Sequence, residues 1–170
     1  RQLLAEAGYP DGLGFPVVEC VARTDQADLG ENLQTQWREN LGVKISWETV
    51  EWQAILARLG ERVPHVLIMG WMADYPDPDN FLRARIDHIQ QQSGWRSEAY
   101  DSPVKRAQRS LDQGDRMELY GEAQQILAQE APIVPMFHTS VRLLVKPWVT
   151  RFPATGLREW RSRAVIIRPQ

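Results

Sequence analysis

The sequence predicts an α/β fold with parallel strands. Strand-like and helix-like patterns alternate along its first seventy residues. The continuous apolar run His65-Val66-Leu67-Ile68-Met69 has the character of a central strand covered on both faces. At 170 residues, 43% hydrophobic and 25% charged, the chain suits one ordinary domain or one lobe of something larger. Disorder, collagen and coiled coil are poor fits to that composition.

The elements follow in order. Arg1-Gln2-Leu3-Leu4-Ala5-Glu6-Ala7 reads as the second half of a helix, so the chain is expected to be a piece cut from a longer protein. Gly8 and Pro10 stop that helix, and Asp11-Gly12 turns. A strand over 15–22 sets Val18, Cys20 and Ala22 on one face. Leu29, Leu33, Trp37 and Leu41 recur every four residues, which predicts a helix over 25–41 capped by Gly42. Val43, Ile45 and Trp47 alternate with Lys44, Ser46 and Glu48 in a half-buried strand. A helix over 53–61 is expected to bury Ile55, Leu56 and Leu59. Beyond the apolar run, two prolines and a set of polar acceptors forbid regular structure over 70–80. A short helix over 81–86, a polar excursion over 89–102 and a helix over 103–111 with Val104, Ala107 and Leu111 on one face come next. Asp115 is the expected cap of a helix striped with Leu119, Ala123, Ile126 and Leu127 and ended by Pro132. Strands are expected over 133–137, 141–145 and 165–167.

Charge and composition narrow the function classes. Twenty basic residues face 22 acidic ones, for a net charge of −2, without the basic excess that nucleic-acid binding demands. No apolar run approaches the roughly 20 residues of a membrane-spanning helix. The single cysteine, Cys20, forms no internal disulfide and reads as a small buried hydrophobe. His65, His88 and His138 lack the spacing of metal ligands. There is neither a nucleophile elbow nor a phosphate-cradling glycine loop. The seven Trp are about three times the usual share, which implies a large aromatic core or an aromatic-lined cleft. Trp37 and Trp47 lie on core stripes, and Trp71 is the candidate for a cleft.

The most informative segment is Gly70-Trp71-Met72-Ala73-Asp74-Tyr75-Pro76-Asp77-Pro78-Asp79-Asn80, at the C-terminal end of the apolar strand, the edge where open α/β sheets bind ligands. Asp74, next to Trp71 and Tyr75, is placed to pair with a ligand cation. The alternative is that Trp71 packs in the core and the aspartates cap the following turn. A calcium loop starting at Asp77 would need Gly at its sixth position and Glu at its twelfth, where Leu82 and His88 stand. A carboxylate-dependent hydrolase built on Asp74, Asp77 and Asp79 stays open, because the separation of paired carboxylates is a spatial property.

Five blocks in order resemble the C-terminal third of an extracytoplasmic solute-binding protein of ABC importers, of the peptide/nickel-binding family typified by dipeptide- and oligopeptide-binding proteins. They are LLAEAGYPDG at 3–12, LGVKISWETVEW at 41–52, GWMADYPDPDNFL at 70–82, RMELYGEAQQILAQEAPIVPMF at 116–137 and VRLLVKPWV at 141–149. The resemblance implies a lobe of the type II periplasmic-binding fold, with a mixed sheet flanked by helices, in a two-lobed protein that encloses ligand between its lobes. It places residues 1–139 in the ligand-binding lobe and returns residues 140–170 to the other lobe. It implies a periplasmic or extracytoplasmic monomer that binds small peptides without catalysis or cofactor and delivers them to a membrane permease. A signal sequence would precede the present start.

In that family the Asp of the Gly-Trp-x-Ala-Asp-Tyr block pairs with the peptide α-ammonium, a role that falls to Asp74. Backbone groups at Gly70 and Met72 would hydrogen-bond the extended peptide, and Trp71 would line its chamber. The chain departs from the family with His65 for an Asp early in the strand, Ile68 for an Arg that receives the peptide carboxylate, and Thr139 for an aromatic. Ligand length and the anchor for its C-terminal end are therefore not implied. The same scaffold also serves nickel, haem, opines and oligosaccharides, and a chemoreceptor-coupled or chaperone-like binder is a further alternative.

Overall fold

The computed structural model describes residues 1–61, 63–140, 142–152 and 165–168. They form two compact units, Arg1–Gly70 and Trp71–Gln170.

The first unit opens with α1 (Gln2–Glu6) and a 3-10 turn at Pro10–Gly12, then builds a three-stranded parallel sheet. Its strands are β1 (Val18–Arg23), β2 (Ile45–Val50) and β3 (Val66–Leu67), in the order β2-β1-β3. Cys20 pairs with Trp47 on one side and with Val66 on the other. Parallel pairing requires a crossover between strands. Helix α2 (Ala27–Leu41) supplies the first and α3 (Trp52–Glu61) the second. The middle strand is thus β1, with Cys20, Val21 and Ala22 at most 4% exposed, while the apolar run at 65–69 yields only a two-residue edge strand. Its continuous hydrophobicity reports burial of Ile68 rather than a central place in the sheet.

Gly42 and Gly30 are each fixed by a physical constraint. Gly42 ends α2 in the left-handed region (φ 69°), from which its N–H reaches the Arg38 carbonyl at 3.1 Å. Gly30 is buried on α2 against the indole of Trp47, so close that a Cβ there would stand 1.7 Å from the ring. Val43, Ile45 and Ile55 are buried as the alternation predicts, but Leu56 lies on the exposed side of α3. Cys20 is a buried thiol, which burial pushes up to about 11.

The second unit is a helical cluster. After the irregular stretch at 71–78, a π-helical turn spans Asn80–Arg85 and runs into α4 (Ile86–Ser93). Helix α5 (Glu98–Arg109) packs against α6 (Gln113–Glu130). Leu82, Ile86, Tyr100, Val104, Ala107, Tyr120, Ala123 and Leu127 form one core. Expectations for both of these helices are corrected here. The segment at 89–102 is largely helical, because the cap of α5 is Ser97, whose side chain accepts from the Tyr100 N–H, and Pro103 lies inside the helix. The cap of α6 is Asp112, which accepts from the Asp115 N–H at 2.8 Å, and Leu111 faces solvent. Ala131 ends α6 at φ 49°, one residue before Pro132.

No strand forms over 133–140 or 142–145; among the described residues the strands beyond α6 are β4 (Val149–Arg151) and β5 (Ile166–Ile167), paired antiparallel. Val134, Phe137 and Leu144 are strongly exposed. A strand needs a partner for its backbone groups, and alternation in sequence does not supply one. Trp160 and Val141 lie outside the described residues.

Candidate functional site

The 70–80 block begins where the first unit ends. Gly70 is the last residue of that unit, exposed and outside the left-handed region, and a Cβ built on it would meet no atom within 4 Å. Neither local conformation nor packing explains a glycine there. Trp71, Met72 and Asp74 open the second unit, all three exposed.

Trp71 and Asp74 are brought together by Asn80. The Asn80 side chain, 1% exposed, accepts from the Trp71 indole Nε1 at 2.8 Å and from the Asp74 backbone N–H at 3.2 Å. Its Nδ2 donates to Asp74 Oδ2 at 3.1 Å. The Arg85 guanidinium lies over the Trp71 ring, 5.3 Å from its centroid, and burial lowers its pKa from the ordinary value. Tyr75 turns its hydroxyl to Asp79 and so does not serve as a hydrogen-bonding partner of Asp74. Met72 takes no part in the Asn80 hydrogen bonds, and its side chain is 41% exposed.

The other carboxylates of the block are committed elsewhere. Asp77 accepts from Arg116 through both oxygens, at 3.0 and 3.1 Å, and from the Asp79 N–H at 2.9 Å. The Arg116 hydrogen bonds hold its carboxyl below the usual range. Asp79 receives Arg83 at 2.7 and 3.0 Å, the Tyr75 hydroxyl at 2.7 Å and the Tyr120 hydroxyl at 3.1 Å. Burial works to raise this carboxyl, but hydrogen bonds from Arg83, Tyr75 and Tyr120 outweigh it and hold the group low. Tyr100 donates to the Leu82 carbonyl, tying the π-helical turn to α5. The block is thus fastened to α6 by Arg116 and Tyr120 and to the turn by Arg83.

With their oxygens engaged by arginines and tyrosines, Asp77 and Asp79 are unsuited to a calcium loop or to a free carboxylate pair for hydrolysis. Among the described residues no group of three or more His, Cys, Asp or Glu is placed to hold a metal ion. His65 accepts from the Glu19 N–H at 3.0 Å, and His88 and His138 are exposed. Asp74 is left as the carboxylate of the block with no basic side chain paired to it among the described residues. Sequence reasoning singled out Asp74 and Trp71 but not Asn80, which it counted among the polar acceptors of the loop. It also missed the partners of Asp77 and Asp79, which lie up to 41 residues away.

Residues 1–88 match the model of the middle part of bacterial extracellular solute-binding proteins, family 5. The di/tripeptide-binding protein 1 of Pseudomonas aeruginosa (strain UCBPP-PA14) is 34% identical over 149 residues, which cover 83% of this chain and 28% of that protein. The periplasmic oligopeptide-binding protein OppA of Salmonella typhimurium is 32% identical over 156 residues, 88% of this chain and 28% of the relative. The solved structure of Burkholderia pseudomallei OppA is 28% identical and superposes with a TM-score of 0.82, covering 99% of this chain and 34% of that one. The fold is that of periplasmic binding proteins, and the chain spans about a third or less of the length of these relatives. The match over its first 88 residues, with the likeness to these relatives along most of its length, makes the chain a member of family 5 of the bacterial extracellular solute-binding proteins.

Proposed function

We propose that this chain is part of the extracytoplasmic receptor of an ABC importer, that the receptor binds small peptides, and that it hands them to a membrane permease without chemical change. Asp74 pairs with the peptide α-ammonium, the backbone at Gly70 and Met72 hydrogen-bonds the extended peptide, and Trp71 lines the ligand chamber. The observation that carries this reading is the division of labour among three carboxylates: Asp77 and Asp79 are tied to Arg116 and Arg83, while Asp74 is exposed beside an exposed indole and, among the described residues, is held only by neutral donors. A carboxylate so placed attracts a cation and leaves peptide side chains unread. The bare backbone at Gly70 suits the close approach of another main chain. The names of the relatives, di/tripeptide- and oligopeptide-binding proteins, support the same cargo class. Under this reading the receptor works as a periplasmic monomer, residues 1–139 belong to the ligand-binding lobe, and residues 140–170 return to the other lobe.

The test is calorimetry on the full-length protein. Asp74→Asn is expected to weaken peptide binding by about 2–5 kcal/mol, the range for removing one partner of a desolvated charge pair. Unchanged affinity would remove Asp74 from the site. Native mass spectrometry of the purified full-length protein should show a distribution of peptide masses; a single metal or sugar mass would overturn the cargo.

A further inference from the structure

Asn80 is the most buried polar side chain of the block, and its amide hydrogen-bonds both side-chain candidates, with the Tyr75 hydroxyl also in reach. Its oxygen accepts from Trp71 Nε1 (2.8 Å) and from the Asp74 N–H (3.2 Å), and its nitrogen donates to Asp74 Oδ2 (3.1 Å). This pattern permits one orientation of the amide. Turned over, its NH₂ would face two N–H donors and its oxygen would face a carboxylate. The neutrality of the group matters as much as its geometry. A guanidinium at this place would hold the carboxylate equally well and cancel its charge, as Arg116 and Arg83 do for Asp77 and Asp79. A carboxamide fixes the Asp74 carboxylate while leaving its full charge for a ligand, and it leaves Oδ1 outside the network.

We infer that Asn80 is a positioning residue: it orients Asp74 and thereby sets the preference of the site for ligands with a free α-ammonium over the same ligands without one. The inference rests on the peptide reading of Asp74 above. It makes Asn80 a determinant of specificity through Asp74, with no contact of its own to ligand.

The experiment is calorimetry on the full-length protein with tri-alanine and N-acetyl-tri-alanine. The unaltered protein is expected to prefer the free amine, and Asp74→Asn to abolish the preference; if Asp74→Asn keeps it, the peptide reading of Asp74 fails, whatever Asn80 does. With that control in place, Asn80→Ala should reduce the preference by about tenfold, the loss of one hydrogen bond to a charged group. Its affinity for the acetylated peptide should stay within about twofold of the unaltered protein. The double variant Asn80→Ala/Asp74→Asn should bind tri-alanine no more weakly than Asp74→Asn alone, because a residue acting through Asp74 has nothing further to lose. A purely structural Asn80 would instead weaken both peptides equally and add its loss to that of Asp74→Asn, which overturns the inference. Asn80→Ser is the milder variant: its hydroxyl remains an acceptor, but its shorter side chain lacks the amide donor to Asp74. It should lower the preference in the same way, and a preserved preference overturns the inference. If neither variant folds, Asn80 belongs to the fold alone and the inference is likewise overturned.

Discussion

Replacing Asp79 by Ala removes one acceptor from three donors at once, and the structure ranks the losses. Tyr120 is 1% exposed, and without Asp79 its hydroxyl keeps, among the described residues, the long 3.5 Å contact from Arg116. Leaving that buried group poorly paired costs about 1–2 kcal/mol. The Arg83 side chain is 37% exposed, so its ion pair with Asp79 is screened by water and contributes at most about 1 kcal/mol. Tyr75 is also 37% exposed, and its hydroxyl can turn to solvent for about 0.5 kcal/mol or less. Asp79→Ala should therefore destabilise the protein by about 2–3 kcal/mol, read from equilibrium urea unfolding followed by circular dichroism. The single-donor variants should follow the same order, with Tyr120→Phe near 1–1.5 kcal/mol and Tyr75→Phe within about 0.5 kcal/mol of the unaltered protein. A cost below about 1 kcal/mol for Asp79→Ala, or equal costs for the two tyrosines, would refute the account of Asp79 as the hub of this network.

Other outcomes follow from single features. Asp77 and Asp79 have lowered pKa values in the folded state, so the unfolded chain binds more protons in acid. Their contribution is complete above the unfolded carboxylate value of about 3.9 and is lost as pH falls through the lower folded values, so urea midpoints should drop from about pH 5 downward and drop less steeply in Asp79→Asn. Gly30→Ala drives a methyl into the Trp47 indole and should cost about 1–3 kcal/mol in the same unfolding assay, with a change in tryptophan emission. Cys20 should resist an aromatic disulfide reagent at pH 8 in the native protein and react promptly in urea, since its thiol is buried and held near 11. Ala131→Gly relieves a left-handed alanine at the end of α6 and should raise the melting temperature, a gain of about 0.5–1 kcal/mol.

The legible parts of the fold were those written in local periodicity. Leu29, Leu33, Trp37 and Leu41 with Gly42 specify α2 and its end, and Val43, Ile45 and Trp47 specify the approach to β2, because each pattern needs only its own helix or strand to explain it. The errors have equally local causes. Pro103 resembles a helix start, since proline is favoured in the first turn, yet Ser97 caps the helix and the bond Pro103 cannot make would have gone to the carbonyl of Ala99, an exposed residue. The residues at 133–145 have the apolar content of strands, but a sequence pattern states which face is apolar and not what it pairs with. Asp74 and Trp71 were legible as chemistry because residue type and neighbours announce them. Asn80 was not, because nothing in a one-dimensional pattern distinguishes a buried amide from a solvated one. Arg116 and Tyr120 were hidden by sequence distance alone.

The fastening of residues 75–80 also bears on the entropy of association. Arg83, Arg116 and Tyr120 immobilise this stretch as part of folding, so under the proposed role of Asp74 a ligand arriving there would meet a surface already set rather than one it must order. The rotamer and backbone freedom that a loose loop would surrender at each encounter, about 0.5–1.5 kcal/mol for each ordered side chain, has been surrendered once, in the helical core beneath it. Under that proposal none of the affinity of the site is spent on rebuilding the wall against which the ligand rests.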